Sequence, residues 1–495
     1  MRWSSNASLI LLLAAAQGCG DGKPSPASTH SIAPDHPHIR YTGRWNVDDA
    51  SLPWVAWQGS TVTLRFRGSA LVADLDVGAL PENYRVVIDG VPEPQYRTLP
   101  AGRQAVTLAS GLEAGAEHSI LLMKETYAGT RTTIHGFTLT GTEILPLPPK
   151  RGRRIAFFGD SNMEGYSLYS EKDHGAVGTY YAYPATIARM LDADMHLQAV
   201  AGATLAGGGG NDVLTFIYAE EKLADDINYR SGFAPQVIVI NAGANDISKL
   251  PAAVRKQNIK QRYRTVIAEL RRVYGEAPHI ILYNAYSWDQ HEPANYSHEL
   301  VDELGGNLSV FIFPWCWEQW HGDMVDHAGQ AERLAAYIGS LNLGFVVKQP
   351  PEVITGYGKG FDFANGSFEG GARDGYGGFG WRYFEDGVKR VHDPKNAADG
   401  AYFIRLEKGE QVHQCVDASG DFSPGPANPG QRYTVTAAIR STGSAATVAI
   451  GADFEGQDLY KRENFVARQF SVAPEWRNYS AEFSAPPGSW KIYIS

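Results

Sequence analysis

The sequence predicts a multidomain protein: an all-β sandwich, then an α/β/α unit on a parallel sheet, then a second all-β unit. Three observations carry that expectation. A chain of 495 residues with 43% apolar content is long enough for about three globular cores. The flanking parts hold short β-branched and aromatic runs, broken by Gly, Pro or Asp at roughly ten-residue spacing. The middle part alternates continuous apolar runs with segments of helical period.

In chain order, residues 1–18 read as an export signal, with Arg2 at the positive end and "LILLLAAA" too short to span a bilayer. "AAAQGC" followed by a polar Pro/Ser stretch resembles a bacterial lipobox. That resemblance implies lipidation at Cys19 and a polar linker over 19–30. The alternative is an ordinary cleaved signal and a secreted protein. Either way the expected location is outside the cytoplasm, at the cell surface, in the periplasm or secreted, and the only membrane contact expected is the lipid anchor. Cys316 and Cys415 fall in different expected domains, so no disulfide framework is read. A net charge of -10 argues against a nucleic-acid partner.

Residues 31–145 are expected to form the N-terminal β-sandwich from "TVTLRFRG", "ALVADLDVG", "YRVVIDG", "QAVTLAS" and "TTIHGFTLTG". "EILPLPPKRGRR" reads as a proline-stiffened linker. Over 151–345, "RIAFFG", "MHLQAVAG", "PQVIVINAG", "PHIILYNAY" and "LSVFIFPW" are buried-strand candidates. "TYYAYPATIARML", "NIKQRYRTVIAELRRVYG" and "DHAGQAERLAAYIGSL" are the helices between or after them. Strands buried on both faces and separated by helices imply a parallel sheet with ligands at its carboxyl edge. Ser161, Gly202 and "GAND" at 243–246 each follow directly on one of the first three strands.

"GDSN", "AVAGAT" and "GAND" resemble the first three blocks of the SGNH branch of the GDSL esterases. The resemblance implies a flavodoxin-like hydrolase. Ser161 would be the nucleophile, and the backbone N–H groups of Ser161 and Gly202 would form the oxyanion hole with the Asn245 amide. Asp160 reads as a turn-stabilising carboxylate. The family's last block, Asp-x-x-His-Pro, is not matched by "FPWCWEQWHGDMVDHAGQAERLA". His327, at the start of the final helix, is the favoured base, with Asp323 or Asp326 to orient it. His321, with Glu318 three residues before it, is the alternative, and a dyad without a carboxylate stays open.

The order of domains is similar to carbohydrate esterase family 2, with "YTGRW", "LLMKET" and "TIHGF" as the matching segments of the first domain. This implies removal of acetyl groups from polysaccharide. The chain is expected to be a monomer. Its rivals are a lipase or small-ester hydrolase on the same fold, and a glycan-binding lipoprotein without a base. The first domain could instead only narrow the cleft.

Residues 360–495 resemble jelly-roll carbohydrate-binding modules. That points to Trp381 and Trp476, with Tyr433 and Trp490, as stacking candidates, against a purely structural sandwich. No phosphate loop or metal motif is present, so no cofactor and no metal are expected. "GGGG" at 207–210 is expected to be a flexible active-site loop.

Overall fold

The computed structural model describes residues 28–93, 95–166, 168, 177–220, 232–249, 252–285, 296–313, 321, 324–351, 368, 382–383, 388–417, 430–443, 446–455, 466–487, 489 and 491–495. The N-terminal domain is an antiparallel ten-stranded sheet folded on itself. Its spine is the strand Thr61–Asp76, whose burial alternates as a one-face-buried strand requires. The first half of that strand pairs with Glu117–Lys124 and the second half with Arg103–Ala109, while Thr132–Leu145 runs along its other side. Between the halves stands Gly68, opposite Gly141. A Cβ there would lie 2.5 Å from the Thr140 carbonyl and 2.7 Å from the Gly141 Cα. The sheet closes over Leu64, Phe66, Leu71, Leu75, Val86 and Leu139. Its first strand, Thr29–Ile32, begins two residues earlier than the sequence suggested.

The middle domain is a five-stranded parallel sheet of β1 (Arg153–Gly159), β2 (Ala193–Ala199), β3 (Val237–Asn241), β4 (His279–Ala285) and β5 (Leu308–Phe313), in the order β2-β1-β3-β4-β5. Every described pairing in it is parallel. Side chains of β1 alternate between two cores. Ile155 and Phe157 pack with α2 (Tyr183–Met190) and α7 (Met324–Ser340). Ala156 and Phe158 pack with α3 (Val213–Phe216), α5 (Ala252–Tyr274) and α6 (Tyr296–Leu304). Two further helices, α1 (Ser161–Glu164) and α4 (Ala244–Lys249), begin just beyond β1 and β3. The sheet is therefore covered on both faces, and its order reverses at β1, which leaves a crevice at the carboxyl ends there.

The described C-terminal strands are antiparallel: Arg432–Ile439 with Arg477–Ser484, and Ala446–Glu455 between Val466–Val472 and Lys491–Ile494. They enclose Val435, Ile450, Phe454, Phe483 and Ile492, with the half-buried Tyr433 packed against that core. Val466–Val472 had no counterpart in the sequence reading.

Candidate active site

The nucleophile turn is built by steric and hydrogen-bonding demand. β1 ends at Gly159, where a Cβ would stand 2.6 Å from the Asn241 carbonyl and 2.8 Å from the Met163 Cβ, so no larger residue fits without a shift. Asp160 caps α1: its Oδ1 accepts the Asn162 N–H at 3.1 Å, and its own N–H donates to Asn241 O at 3.2 Å. Helix α1 is a single turn closed by Gly165 at φ 83°. Within it Asn162, Met163 and Glu164 are buried and Ser161 is half-buried, so the serine is the residue this turn presents.

Gly202 is the third residue of a β-turn closed by Ala203 N–H to Val200 O at 3.1 Å, and its φ of +77° is one that glycine adopts without strain. Asn245 donates to Ala203 O at 2.9 Å, and its Nδ2 lies 3.5 Å from Asp160 Oδ2. Asp246, fully buried, accepts the Leu205 N–H at 2.9 Å and an Arg262 N–H at 2.6 Å. The turns carrying Ser161, Gly202 and Asn245 are thus tied to one another at one edge of the sheet. The glycine run at 207–210 is a closed loop: Asp212 Oδ2 accepts the Gly208 N–H at 2.8 Å, and Thr204 N–H meets Asn211 O at 3.3 Å. Glycine admits the left-handed turns of this hydrogen-bonded loop, with φ +78° at Gly207 and +69° at Gly209.

Two acids lie beneath these turns. Burial pushes the Asp160 carboxyl up to about 7 against the hydrogen bonds from Asn162. Burial raises Glu164 well above the usual carboxylate range, although it accepts the Ala201 N–H.

The two histidines are used differently. His327 is fully buried and stacks on Tyr183 at 5.7 Å. Its Nδ1 accepts the Tyr183 N–H at 3.2 Å. That N–H opens α2, where the N-cap residue is Ala182 and supplies no side-chain oxygen, so the imidazole does the capping. A neutral imidazole accepting at Nδ1 carries its proton on Nε2. His321 is 9% exposed, and its ring packs on Tyr166 at 4.8 Å. Tyr166 N–H in turn donates to Ser161 O at 3.0 Å, which sets His321 beside the nucleophile's own helix. Glu318 and Asp323 lie outside the described residues, as does the side chain of Asp326.

Sequence reasoning missed the wall that the first domain builds behind these loops. Arg44, fully buried, donates to Phe216 O and Ile217 O, each at 2.6 Å. Trp57 donates to Ala219 O at 2.9 Å, and Gln58 to Ala199 O at 2.5 Å. Glu125 accepts the Tyr180 N–H at 2.8 Å and holds Arg85 at 2.7 Å with both side chains fully buried. Arg44 and Glu125 stand within segments singled out for resemblance, but their partners in the middle domain are more than fifty residues away in sequence, beyond the reach of local pattern.

In the C-terminal module, Trp476 is half-buried. Its Nε1 donates to Asn396 O at 2.8 Å, and the Arg440 guanidinium lies 5.2 Å from its ring centre. Trp381 and Trp490 lie outside the described residues, as does Cys19.

Residues 41–148 match the model for the N-terminal domain of carbohydrate esterase 2, and residues 157–337 match the GDSL-like lipase/acylhydrolase family. The chain is 30% identical over 326 residues to a cellulase/esterase, CelE, of Acetivibrio thermocellus. The alignment covers 61% of this chain and 39% of that protein, so the chain spans about two fifths of that relative's length. It is 28% identical over 257 residues to an acetylxylan esterase/glucomannan deacetylase of Cellvibrio japonicus, covering 48% of this chain and 70% of that one. Among solved structures, a family two carbohydrate esterase from Clostridium thermocellum in complex with cellohexaose superposes with a TM-score of 0.55 and 28% identity, over 62% of this chain and 99% of that one.

Proposed function

We propose that the chain, which matches the carbohydrate esterase 2 N-terminal domain followed by a GDSL-like lipase/acylhydrolase domain, is a serine esterase that removes acetyl groups from a polysaccharide of the xylan or glucomannan class. The observation that carries this reading is the hydrogen-bonded linkage of the Ser161, Gly202 and Asn245 turns at one sheet edge. Ser161 Oγ attacks the acetyl carbonyl. The developing oxyanion meets the N–H groups of Ser161 and Gly202 and the Asn245 amide, each donor lowering the barrier by about 3 kcal/mol. The alcohol of the glycan leaves, and water then hydrolyses the acyl-enzyme to acetate.

The base in this mechanism is His321 rather than His327. His321 adjoins the nucleophile's helix through Tyr166, whereas the accepting nitrogen of His327 is taken up by the α2 N-terminus. The lipobox-like segment supports export and lipid attachment at Cys19, and the antiparallel strand pairs of the last module support a glycan-binding role with Trp476 at its surface. The test is acetate release from acetylated xylan and acetylated glucomannan by the purified chain, beside Ser161→Ala and His321→Ala. Acetate from wild type, and from neither variant, supports the reading. Release from neither substrate by wild type overturns it.

A further inference from the structure

We propose that Asn211 is a positioning residue for the oxyanion hole, setting the direction of the Gly202 N–H. This rests on the assignment of Gly202 as an oxyanion donor. That N–H belongs to the peptide joining Ala201 and Gly202, the central peptide of the Val200–Ala203 turn. In a trans peptide the C=O and N–H point in opposite directions, so whatever holds the carbonyl aims the N–H. Asn211 Nδ2 donates to Ala201 O at 3.2 Å.

The turn needs such a hold. With glycine at its third position, the central peptide can flip between the type I and type II orientations at little steric cost, and a flip reverses the N–H. The observed φ of +77° at Gly202 matches the type II orientation. A Cβ on Gly202 would meet only Asn211 Nδ2, at 3.8 Å, which places the Asn211 amide directly beside this turn. On the other side of Ala201, the buried Glu164 carboxyl takes the Ala201 N–H.

Asn211 is itself delivered by the glycine loop. Its carbonyl accepts the Thr204 N–H at 3.3 Å, and its neighbour Asp212 caps α3 and holds the Gly208 N–H. The buried Oδ1 of Asn211 has no hydrogen-bond partner among the described residues, so the donating half of the amide is the half in use. The run of four glycines thus has a structural purpose, because it returns the chain sharply enough to put one amide against Ala201 O.

The test is the rate at which a fluorophosphonate probe phosphonylates Ser161 in the full chain, because that reaction needs the oxyanion hole but not the natural substrate. Asn211→Asp keeps the shape and replaces the donor with an acceptor facing a carbonyl. Asn211→Ala removes the donor without adding repulsion. The expected order is wild type, then N211A, then N211D, with N211D slower by about tenfold or more and KM for a small acetyl ester changed much less than kcat. A space-filling role predicts the opposite order of the two variants. N211D reacting like wild type, or N211A slower than N211D, overturns the proposal. If N211D does not fold, N211A decides: a wild-type rate overturns the proposal, and a rate several-fold lower with a folded circular-dichroism spectrum supports it. A wild type that is phosphonylated but releases no acetate leaves this proposal standing while the deacetylase reading fails. A wild type that is not phosphonylated removes both.

Discussion

At the residue scale, the two histidines give the sharpest contrast. His321→Ala should lower kcat by three orders of magnitude or more, as loss of a general base in a serine hydrolase does. His327→Ala should instead cost about 2–4 kcal/mol of stability, since it leaves the Tyr183 N–H unsatisfied and opens a cavity under a stacked tyrosine. Urea denaturation beside acetate release separates the two. A His327→Ala enzyme that is fully stable and inactive would reverse the assignment. The Asp160 carboxyl makes a pH prediction. Its folded value of about 7 lies above the ordinary 3.8, so its stabilising contribution is complete below pH 3.8 and is lost as pH rises through 7. Asp160→Asn keeps a capping oxygen and cannot ionise. The stability of D160N relative to wild type should therefore climb between pH 4 and 7 and then level off, as unfolding midpoints across that range would reveal.

At the scale of elements, much of the hydrolase fold was legible in the sequence. Strands buried on both faces leave uninterrupted apolar runs, and β1, β3, β4 and β5 fall on the runs that predicted them. The serine, glycine and asparagine stations were legible because each follows such a run directly. The choice of base between His327 and His321 was not. His327 occupies the expected place before the last helix, and spacing gave no sign that its Nδ1 also caps α2, a need that arises from Ala182, a residue 145 positions upstream with no oxygen to offer. Nor did spacing reveal that "GGGG" closes on itself, since glycine composition speaks of freedom and not of the bonds that remove it. Gly159 yields a prediction at this scale. Gly159→Ala would push β1 away from β3 at the Asn241 carbonyl, costing about 1–3 kcal/mol and moving Ser161. Thermal unfolding together with kcat should register both effects, and an unchanged kcat would show that the turn tolerates the shift.

Across the whole molecule, the first domain and the hydrolase share cores rather than a surface. Trp57 packs among hydrolase residues on one face of the sheet, and Val87 and Met123 on the other. The buried Arg85–Glu125 pair reaches across to the backbone of Tyr180 and stacks near Tyr180 and Tyr181. Glu125→Ala leaves a buried guanidinium without its carboxylate and should cost about 3–5 kcal/mol. The loss should lower one joint unfolding transition of residues 28–345 rather than that of the first domain alone. Calorimetry resolving two separate transitions there would contradict the shared-core account.

The seating of the first domain on β2 also bears on how the chain is made. β2 is an edge strand of the parallel sheet. Gln58 bonds its last carbonyl, and Gly59 lies so close above it that a Cβ would stand 2.7 Å from Met195 Cε. An uncovered edge recruits strands from other chains. Because the covering domain precedes the hydrolase in the chain, it leaves the ribosome first and is complete before β2 emerges. The order of synthesis thus places a chaperone-like cap ahead of the strand that needs one, and a circular permutant that moved residues 28–148 behind residue 345 would expose that edge to aggregation throughout translation.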